Sequence, residues 1–330
     1  MQSTSFVSWL FFLWAISSVA LCAPLELLPS SQPPESLSNP SQTMSLILLD
    51  FDGTITQTDS ISALIHSAIA HSPFLDPTTA NQTWDGIANA WLADYEKHVA
   101  SYAPKRENRT DAAAELAFLE SLKGLERASV KRVEGADLFR GLEDEKFVEM
   151  GRKAVESGEV KVRRGFMGFM GELEERGWKT GVVSVNWSLG WVTGAMGWEV
   201  EGGELVNQIG GTEGRIEGPA RIGFGRERMM LTAEDKLEAA RVLVEENKAK
   251  GGSESWVYVG DSTTDLACLL DADMGIVMAE GDESSLLQTL KRIGFEVPHV
   301  GECPSCPKLV WARDFEEVLQ SAVMYRLEDL

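Results

Sequence analysis

Two aspartates stand at the end of a short apolar run, in Asp50-Phe51-Asp52-Gly53-Thr54. Side chains of a strand alternate between faces, so Asp50 and Asp52 project to the same side at the strand's carboxyl end. Two carboxylates side by side repel each other and need a cation or a shared proton. A tight turn would explain one Asp and Gly53, but not both acids. A second candidate is Ser184 with Asn186, which end the apolar run Val182-Val183-Ser184-Val185-Asn186. Taken alone, Ser and Asn at such a place read as turn formers. Lys236 is a third, and a lone helical lysine is ordinarily a solvated charge. The fourth is Gly260-Asp261-Ser262-Thr263-Thr264-Asp265, again after an apolar run. Asp265 comes four residues after Asp261, so a turn into a helix brings the two acids together. Ser262 or Thr263 can cap that helix, but capping does not account for both aspartates.

These residues need elements to hold them. Residues 45–50 (SLILLD) have the continuous apolar character of a buried parallel strand. From residue 59 to about 158 the pattern is helical, and no strand is evident. Ile61, Leu64, Ile65, Ala68 and Ile69 recur at helical spacing, as do Trp84, Ile87, Trp91, Tyr95 and Val99, and then Ala114, Leu116, Leu119 and Leu122. From residue 166 onward helix and strand alternate: helix 166–176 and strand 180–185, helix 232–246 and strand 255–259, helix 264–270 and strand 274–277. That alternation predicts an α/β fold with a doubly wound parallel sheet. Open sheets of this kind build their sites at the carboxyl edge, where the first, second and fourth candidates fall. Residues 200–222 are rich in Gly and read as a strand pair with turns.

The chain has 330 residues and a net charge of −21, from 30 Lys+Arg against 51 Asp+Glu. At 44 % hydrophobic and 25 % charged it is an ordinary globular composition. The acidity argues against nucleic acid as a partner, because a phosphate backbone needs Lys and Arg to neutralise it. Four cysteines, Cys22, Cys268, Cys303 and Cys306, are too few for a disulfide-stapled scaffold. Residues 1–23 are almost wholly apolar and read as a secretory signal peptide or a membrane anchor. A start at Met44, directly before the first strand, would instead leave a complete cytosolic enzyme, so the compartment stays open. Residues 24–44, with five prolines and many serines, read as a linker.

Together the four signals resemble the motifs of the haloacid dehalogenase (HAD) superfamily of phosphotransferases. Its Asp-x-Asp-x-Thr motif stands here as Asp50 to Thr54, its strand-ending Ser as Ser184, its Lys as Lys236, and its Gly-Asp-x-x-x-Asp motif as Gly260 to Asp265. The resemblance covers residues 45 to about 277. It implies a Rossmann-like core of residues 45–58 and 159–330, with an all-helical cap, 59–158, inserted between the first two motifs. This is the arrangement of the phosphoserine phosphatase-like branch, whose segment before the Lys is also similar to Val206-Asn207-Gln208-Ile209 and the later Gly218.

The resemblance implies a Mg²⁺-dependent phosphatase of a small phosphorylated metabolite. Asp50 would be the nucleophile and form an aspartyl-phosphate. Asp52 would serve as general acid, then general base. Mg²⁺ would be held by Asp50, the backbone carbonyl of Asp52, and Asp261, with Asp265 supporting directly or through water. Ser184, Thr54 and the amides around Gly53 and Asn186 would hold phosphoryl oxygens, and Lys236 would offset charge. Where phosphoserine phosphatases carry a Glu that reads the substrate amine, this chain has Asp59. The candidates are therefore an amino alcohol phosphate, an amino acid phosphate such as phosphoserine, or a small sugar-like phosphate. The competing readings are a catalytically silent binding protein of the same fold, a dehalogenase and a phosphomutase. Asp52, Asp261 and Asp265 together favour the phosphatase, since dehalogenases need neither the second Asp nor the metal.

Other signals are weaker. Trp84, Trp91 and Tyr95 form an aromatic stripe that lines a pocket or simply packs in the core. Cys303-Pro304-Ser305-Cys306 reads as a local disulfide, a pair of loop thiols or, with His299 near, part of a metal site. Cys268 reads as a core thiol. Asn81, Asn108 and Asn186 begin glycosylation acceptor patterns, and a glycan on Asn186 would block the second motif.

Overall fold

A computed structural model of the protein describes residues 45–220, 228–302 and 307–328. The apolar leader, the linker, Cys303 and Cys306 lie outside these residues. The first strand, β1 (Leu46–Leu49), leads through a tight irregular turn into α1 (Ile61–His71), α2 (Pro77–Ser101), α3 (Ala112–Ser121), α4 (Lys123–Gly135) and α5 (Asp144–Ser157). The chain then alternates through α6 (Phe166–Glu175), β2 (Lys179–Ser184), α7 (Leu189–Met196) and β3 (Gly203–Val206). A small hairpin follows, β4 (Gln208–Gly210) and β5 (Arg215–Glu217). Next come α8 (Ala233–Ala249), β6 (Trp256–Gly260), α9 (Leu266–Asp271), β7 (Met274–Met278), α10 (Ser285–Arg292), β8 (Leu309–Ala312), α11 (Phe315–Leu319) and α12 (Val323–Glu328).

Six strands pair in the order β3-β2-β1-β6-β7-β8, every neighbour parallel. β1 is buried along its whole length because helices cover both faces of the sheet. Its alternation is visible in the packing: Ile47 and Leu49 join one apolar cluster, with α1, α5, α6 and α7, while Leu46 and Leu48 join the other, with α3, α8, α9 and α10. Each such side chain taken from water contributes roughly 1.5–3 kcal/mol. The fold class read from the sequence is the one found. The Gly-rich segment holds the strand pair read from it and one strand more. Only β4 and β5 pair with each other, antiparallel, whereas β3 joins β2 at the sheet edge. The sheet also gains a sixth strand, β8, beyond the region of the motifs.

The helical insertion leaves and rejoins the core at one place. Thr56 and Val162 form an antiparallel bridge, Gln57 N donates to Lys161 O at 2.8 Å, and Arg163 N donates to Ile55 O at 2.7 Å. Several of its helices touch the core, α5 and the α3–α4 corner most closely. α5 packs on α7 at backbone distance: a Cβ on Gly194 would lie 2.0 Å from the Val148 carbonyl oxygen, and one on Gly151 would lie 2.3 Å from that of Trp191. α3 places Phe118 and Leu119 in the cluster that includes α8. Lys123 Nζ lies 2.7 Å from the Asp235 carboxylate, and Thr232 Oγ1 donates to Glu120 at 2.6 Å. At the other end of α3, Glu115 takes buried ion pairs from Arg109 at 2.7 Å and Arg292 at 2.9 Å.

The aromatic stripe of α2 divides. Trp84 is buried and meets Trp187 edge-on at 6.3 Å, while Trp91 stacks on Tyr95 at 5.3 Å. Cys268 is a fully buried core thiol, and His299 pairs with Glu317 at 2.9 Å. No described helix is long and apolar enough to cross a membrane.

Candidate active site

Asp50 extends the β1 ladder by one residue, its N–H donating to Val259 O at 2.9 Å. The chain then turns sharply. Gly53 adopts φ +73°, and a Cβ there would lie 2.2 Å from the Asp261 carboxylate. Only glycine meets both demands at this position. The turn therefore lies directly against the end of β6, and the first and fourth motifs meet. Carboxylate oxygens of Asp50, Asp261 and Asp265 lie within 4.8 Å of one another.

Lys236 enters this cluster from the first turn of α8. Thr232 caps that helix and forms a reciprocal capping box with Asp235. The Lys236 ammonium is fully buried, 2.6 Å from Asp265 Oδ1 and 2.9 Å from Asp50 Oδ1. Burial alone would lower its pKa; Asp265 and Asp50 more than offset that and hold it above the ordinary lysine range. Asp50 Oδ1 is buried and its close cationic neighbour is the Lys236 ammonium. Burial, with Asp265 beside it, pushes Asp50 up to about 7 against the pull of Lys236. Burial likewise raises Asp261 well above the usual range, Asp265 and Asp50 adding to it and Lys236 and the Thr54 hydroxyl opposing.

Asp265 is the hub that braces the others. Its Oδ1 accepts from Lys236 at 2.6 Å and from the Tyr258 hydroxyl at 2.8 Å. Its Oδ2 accepts from the Asp261 amide at 3.0 Å, the Ser262 amide at 2.9 Å and the Ser262 hydroxyl at 3.2 Å. A carboxylate has about four acceptor positions, so Asp265 has little capacity left. Asp261 keeps more: one hydrogen bond reaches its Oδ1, from Thr54 Oγ1 at 3.0 Å.

Asp52 turns to the insertion side. Its Oδ1 accepts the Ser60 amide at 2.8 Å, and its Oδ2 accepts Asn186 Nδ2 at 2.6 Å. Burial raises it, and the hydrogen bonds from Ser60 and Asn186 partly offset this. Ser60 also accepts Trp191 Nε1 at 2.9 Å, so the start of α1, the end of β2 and α7 are tied at this acid. The amides near the two motif ends have partners within the chain. The Gly53 amide already donates to Thr56 Oγ1 at 3.1 Å, and the Asn186 amide to Ser184 Oγ at 3.2 Å. The buried Ser184 hydroxyl keeps its own proton to donate. Asn186 is only 1 % exposed, which closes it to glycosylation. Asp59 stands outside the cluster, exposed, with its carboxylate accepting the Ile61 amide at 2.9 Å.

Several contributors are invisible to motif reading. Arg163, Ser60 and Trp191 are single residues with partners in distant segments, and Tyr258 reaches Asp265 seven residues on. A hydroxyl on the otherwise apolar β6 is the one local sign of Tyr258. Asn207, part of the segment before the Lys, has a job as well: its amide accepts from Met230 N at 2.8 Å and donates to Val185 O at 3.2 Å, fastening the loop behind Asn186.

Residues 47–270 match the model of the haloacid dehalogenase-like hydrolase family, more than half of the chain. The chain belongs to that family. Within it, the chain is 25 % identical over 275 residues to the mitochondrial Bifunctional TH2 protein of Arabidopsis thaliana, covering 78 % of this chain and 42 % of that protein. It thus spans less than half of that relative's length. A CTO1 family protein of Schizosaccharomyces pombe is 25 % identical over 251 residues, covering 71 % of this chain and 81 % of that one. Among solved structures, a substrate-bound phosphoserine phosphatase superposes with a TM-score of 0.46 at 17 % identity, covering 85 % of this chain and 99 % of that one. This HAD-family site is an acidic cluster at the carboxyl edge of a parallel sheet, with one buried ammonium.

Proposed function

We propose that the chain is a Mg²⁺-dependent phosphatase that hydrolyses a small phosphomonoester through an aspartyl-phosphate on Asp50. The observation that carries this reading is the grouping of carboxylate oxygens of Asp50, Asp261 and Asp265 within 4.8 Å of one another, beside the buried Lys236 ammonium. An all-oxygen donor set of this kind suits a hard divalent cation. Asp50 and Asp261 would hold it, together with the Asp52 carbonyl, while Asp265 braces both Asp261 and Lys236. Bound there, Mg²⁺ would keep the carboxylates ionised and neutralise charge on the phosphoryl group.

The chain's own residues do the rest. A carboxylate oxygen of Asp50 attacks phosphorus, and the P–O bond to the leaving alcohol breaks. Asp52, raised by burial, gives that oxygen its proton, as a general acid must. Asp52 then takes a proton from water as the water attacks the aspartyl-phosphate, which releases inorganic phosphate and restores Asp50. Ser184 donates to a phosphoryl oxygen, and Lys236 offsets charge on Asp50 and the transferring group. Asp59, exposed at the start of α1, is the residue we assign to reading an amine on the substrate, which favours an amino alcohol or amino acid phosphate.

Purified protein assayed with p-nitrophenyl phosphate is expected to release nitrophenol only with Mg²⁺. Asp50→Asn is expected to lose at least about 10³-fold in kcat. No release by the parent, or equal release by Asp50→Asn, would sink the reading. A panel of phosphorylated amines, amino acids and sugars then identifies the substrate class.

A further inference from the structure

Arg163 sits where the insertion rejoins the core, between the Thr56–Val162 bridge and α6. It is only 5 % exposed. Its guanidinium reaches three loops at the carboxyl edge of the sheet. In the turn after β1, Nη2 donates to Gly53 O at 2.5 Å and Nε donates to Thr54 O at 3.0 Å. After β8, Nη1 donates to Arg313 O at 2.7 Å. After β7, Nη1 donates to the Glu280 carboxylate at 3.1 Å. The planar fork of arginine can serve several acceptors at once from one rigid group, which a lysine cannot do.

The two carbonyls in the first loop are the informative ones. Gly53 presses on Asp261, and Thr54 donates its hydroxyl to that same carboxylate. A trans peptide points its N–H opposite to its C=O, so holding the Gly53 carbonyl also fixes the Thr54 amide. Nothing else described donates to these two carbonyls from a side chain. The guanidinium thus holds from behind the turn that carries Asp52 and contacts Asp261, and it does so from the end of the insertion.

We infer that Arg163 is a positioning residue of the catalytic turn: its guanidinium sets the placement of Asp52 and Asp261 by holding the carbonyls of Gly53 and Thr54. It touches neither the acidic cluster nor Lys236. Its loss acts through a shifted turn, and it lowers turnover and cation affinity more than substrate affinity. The inference rests on the phosphatase reading for its kinetic consequence, but not for its effect on cation binding.

The test compares the parent, Arg163→Lys, Arg163→Met and Arg164→Gln as full-length protein. Arg164→Gln controls for charge, since Arg164 pairs with Glu316 on the surface. The readouts are kcat and KM with p-nitrophenyl phosphate, Mg²⁺ affinity by calorimetry without substrate, and the thermal midpoint. Misplacing a reacting group by about 1 Å costs on the order of 10²-fold, so Arg163→Met is expected to lose about that in kcat. Its KM is expected to stay within about 3-fold and its Mg²⁺ affinity to fall about 10-fold, on the same argument of placement. Arg163→Lys is expected to fall between it and the parent, and Arg164→Gln to match the parent. Parent kcat and Mg²⁺ affinity in a folded Arg163→Met would overturn the inference, whatever its thermal midpoint. If Arg163→Met does not fold, parent values in Arg163→Lys overturn it. If the parent hydrolyses nothing, the phosphatase reading is what fails. The Mg²⁺ titration of Arg163→Lys then decides on Arg163 alone, and an affinity equal to the parent's overturns it.

Discussion

At the residue scale the half-buried Glu126 differs from the acids of the cluster. On α4, its carboxylate accepts only weakly from Trp91 Nε1, at 3.2 Å to each oxygen. Burial pushes it from an ordinary 4.5 up to about 7, with Trp91 opposing. Between those values the folded protein holds a proton that the unfolded chain has lost. Stability therefore falls as pH rises from 4.5 to 7, and the deficit stays constant above that. Glu126→Gln is expected to behave like the protonated acid, with little effect at pH 4.5 and a gain on the order of 1–3 kcal/mol at pH 8. Urea unfolding at the two pH values checks this, and parallel curves for parent and variant would reject it. The residues that meet at the sheet edge were readable because each belongs to a short motif with its own chemistry. Arg163 and the Ser60–Trp191 pair were not, because a hydrogen bond between segments more than 100 residues apart leaves no local pattern. The Gly53 and Asn186 amides show the converse. Their bonds to Thr56 and Ser184 are local, two or three residues away, yet no motif announces them.

At the element scale, the contact of α5 with α7 depends on missing side chains. Gly194→Ala would drive a methyl to 2.0 Å from the Val148 carbonyl oxygen and force the helices apart. It is expected to destabilise by about 1–3 kcal/mol. It should also lower kcat, because α7 begins at Ser188, two residues after the Asn186 that holds Asp52. Gly171→Ala on α6 meets nothing within 4 Å and is expected to leave both quantities near the parent's. Equal unfolding midpoints for the two variants would count against the account. The strands were legible as apolar runs, since a parallel strand buried on both faces has no polar alternation to confuse it. The partners of β3 were not: a short run beside glycines specifies a strand but not which edge it joins. The stripe on α2 divided for a similar reason, because periodicity identifies a face without saying whether a core or a neighbouring helix covers it.

At the scale of the whole molecule, the attachments of the insertion to the core include α5, the α3–α4 corner and the paired crossings at Thr56 and Val162. The contact at the start of α4 bears on the site directly. Asp235 caps the helix whose next residue is Lys236, and Lys123 is an insertion residue paired with its buried carboxylate. Lys123→Met would leave that carboxylate without this partner and is expected to cost about 1–3 kcal/mol, with Lys123→Arg restoring most of it. Hydrogen exchange in the first turn of α8 should quicken in the Met variant; unchanged exchange and an unchanged thermal midpoint would show that the pair carries nothing.

The position of β1 has a further consequence, for the order of events during synthesis. It is the central strand, yet its partners β2 and β6 begin about 130 and 210 residues later. At roughly 5–20 residues per second, β1 waits on the order of ten seconds or more before either neighbour is made. During that wait its apolar side chains and its unpaired amides are open to wrong partners. The five insertion helices are made in the interval, and their own contacts are local enough to form first. The nascent protein therefore closes from its periphery inward, and the strand that bears Asp50 at its end is the first made and among the last to be enclosed.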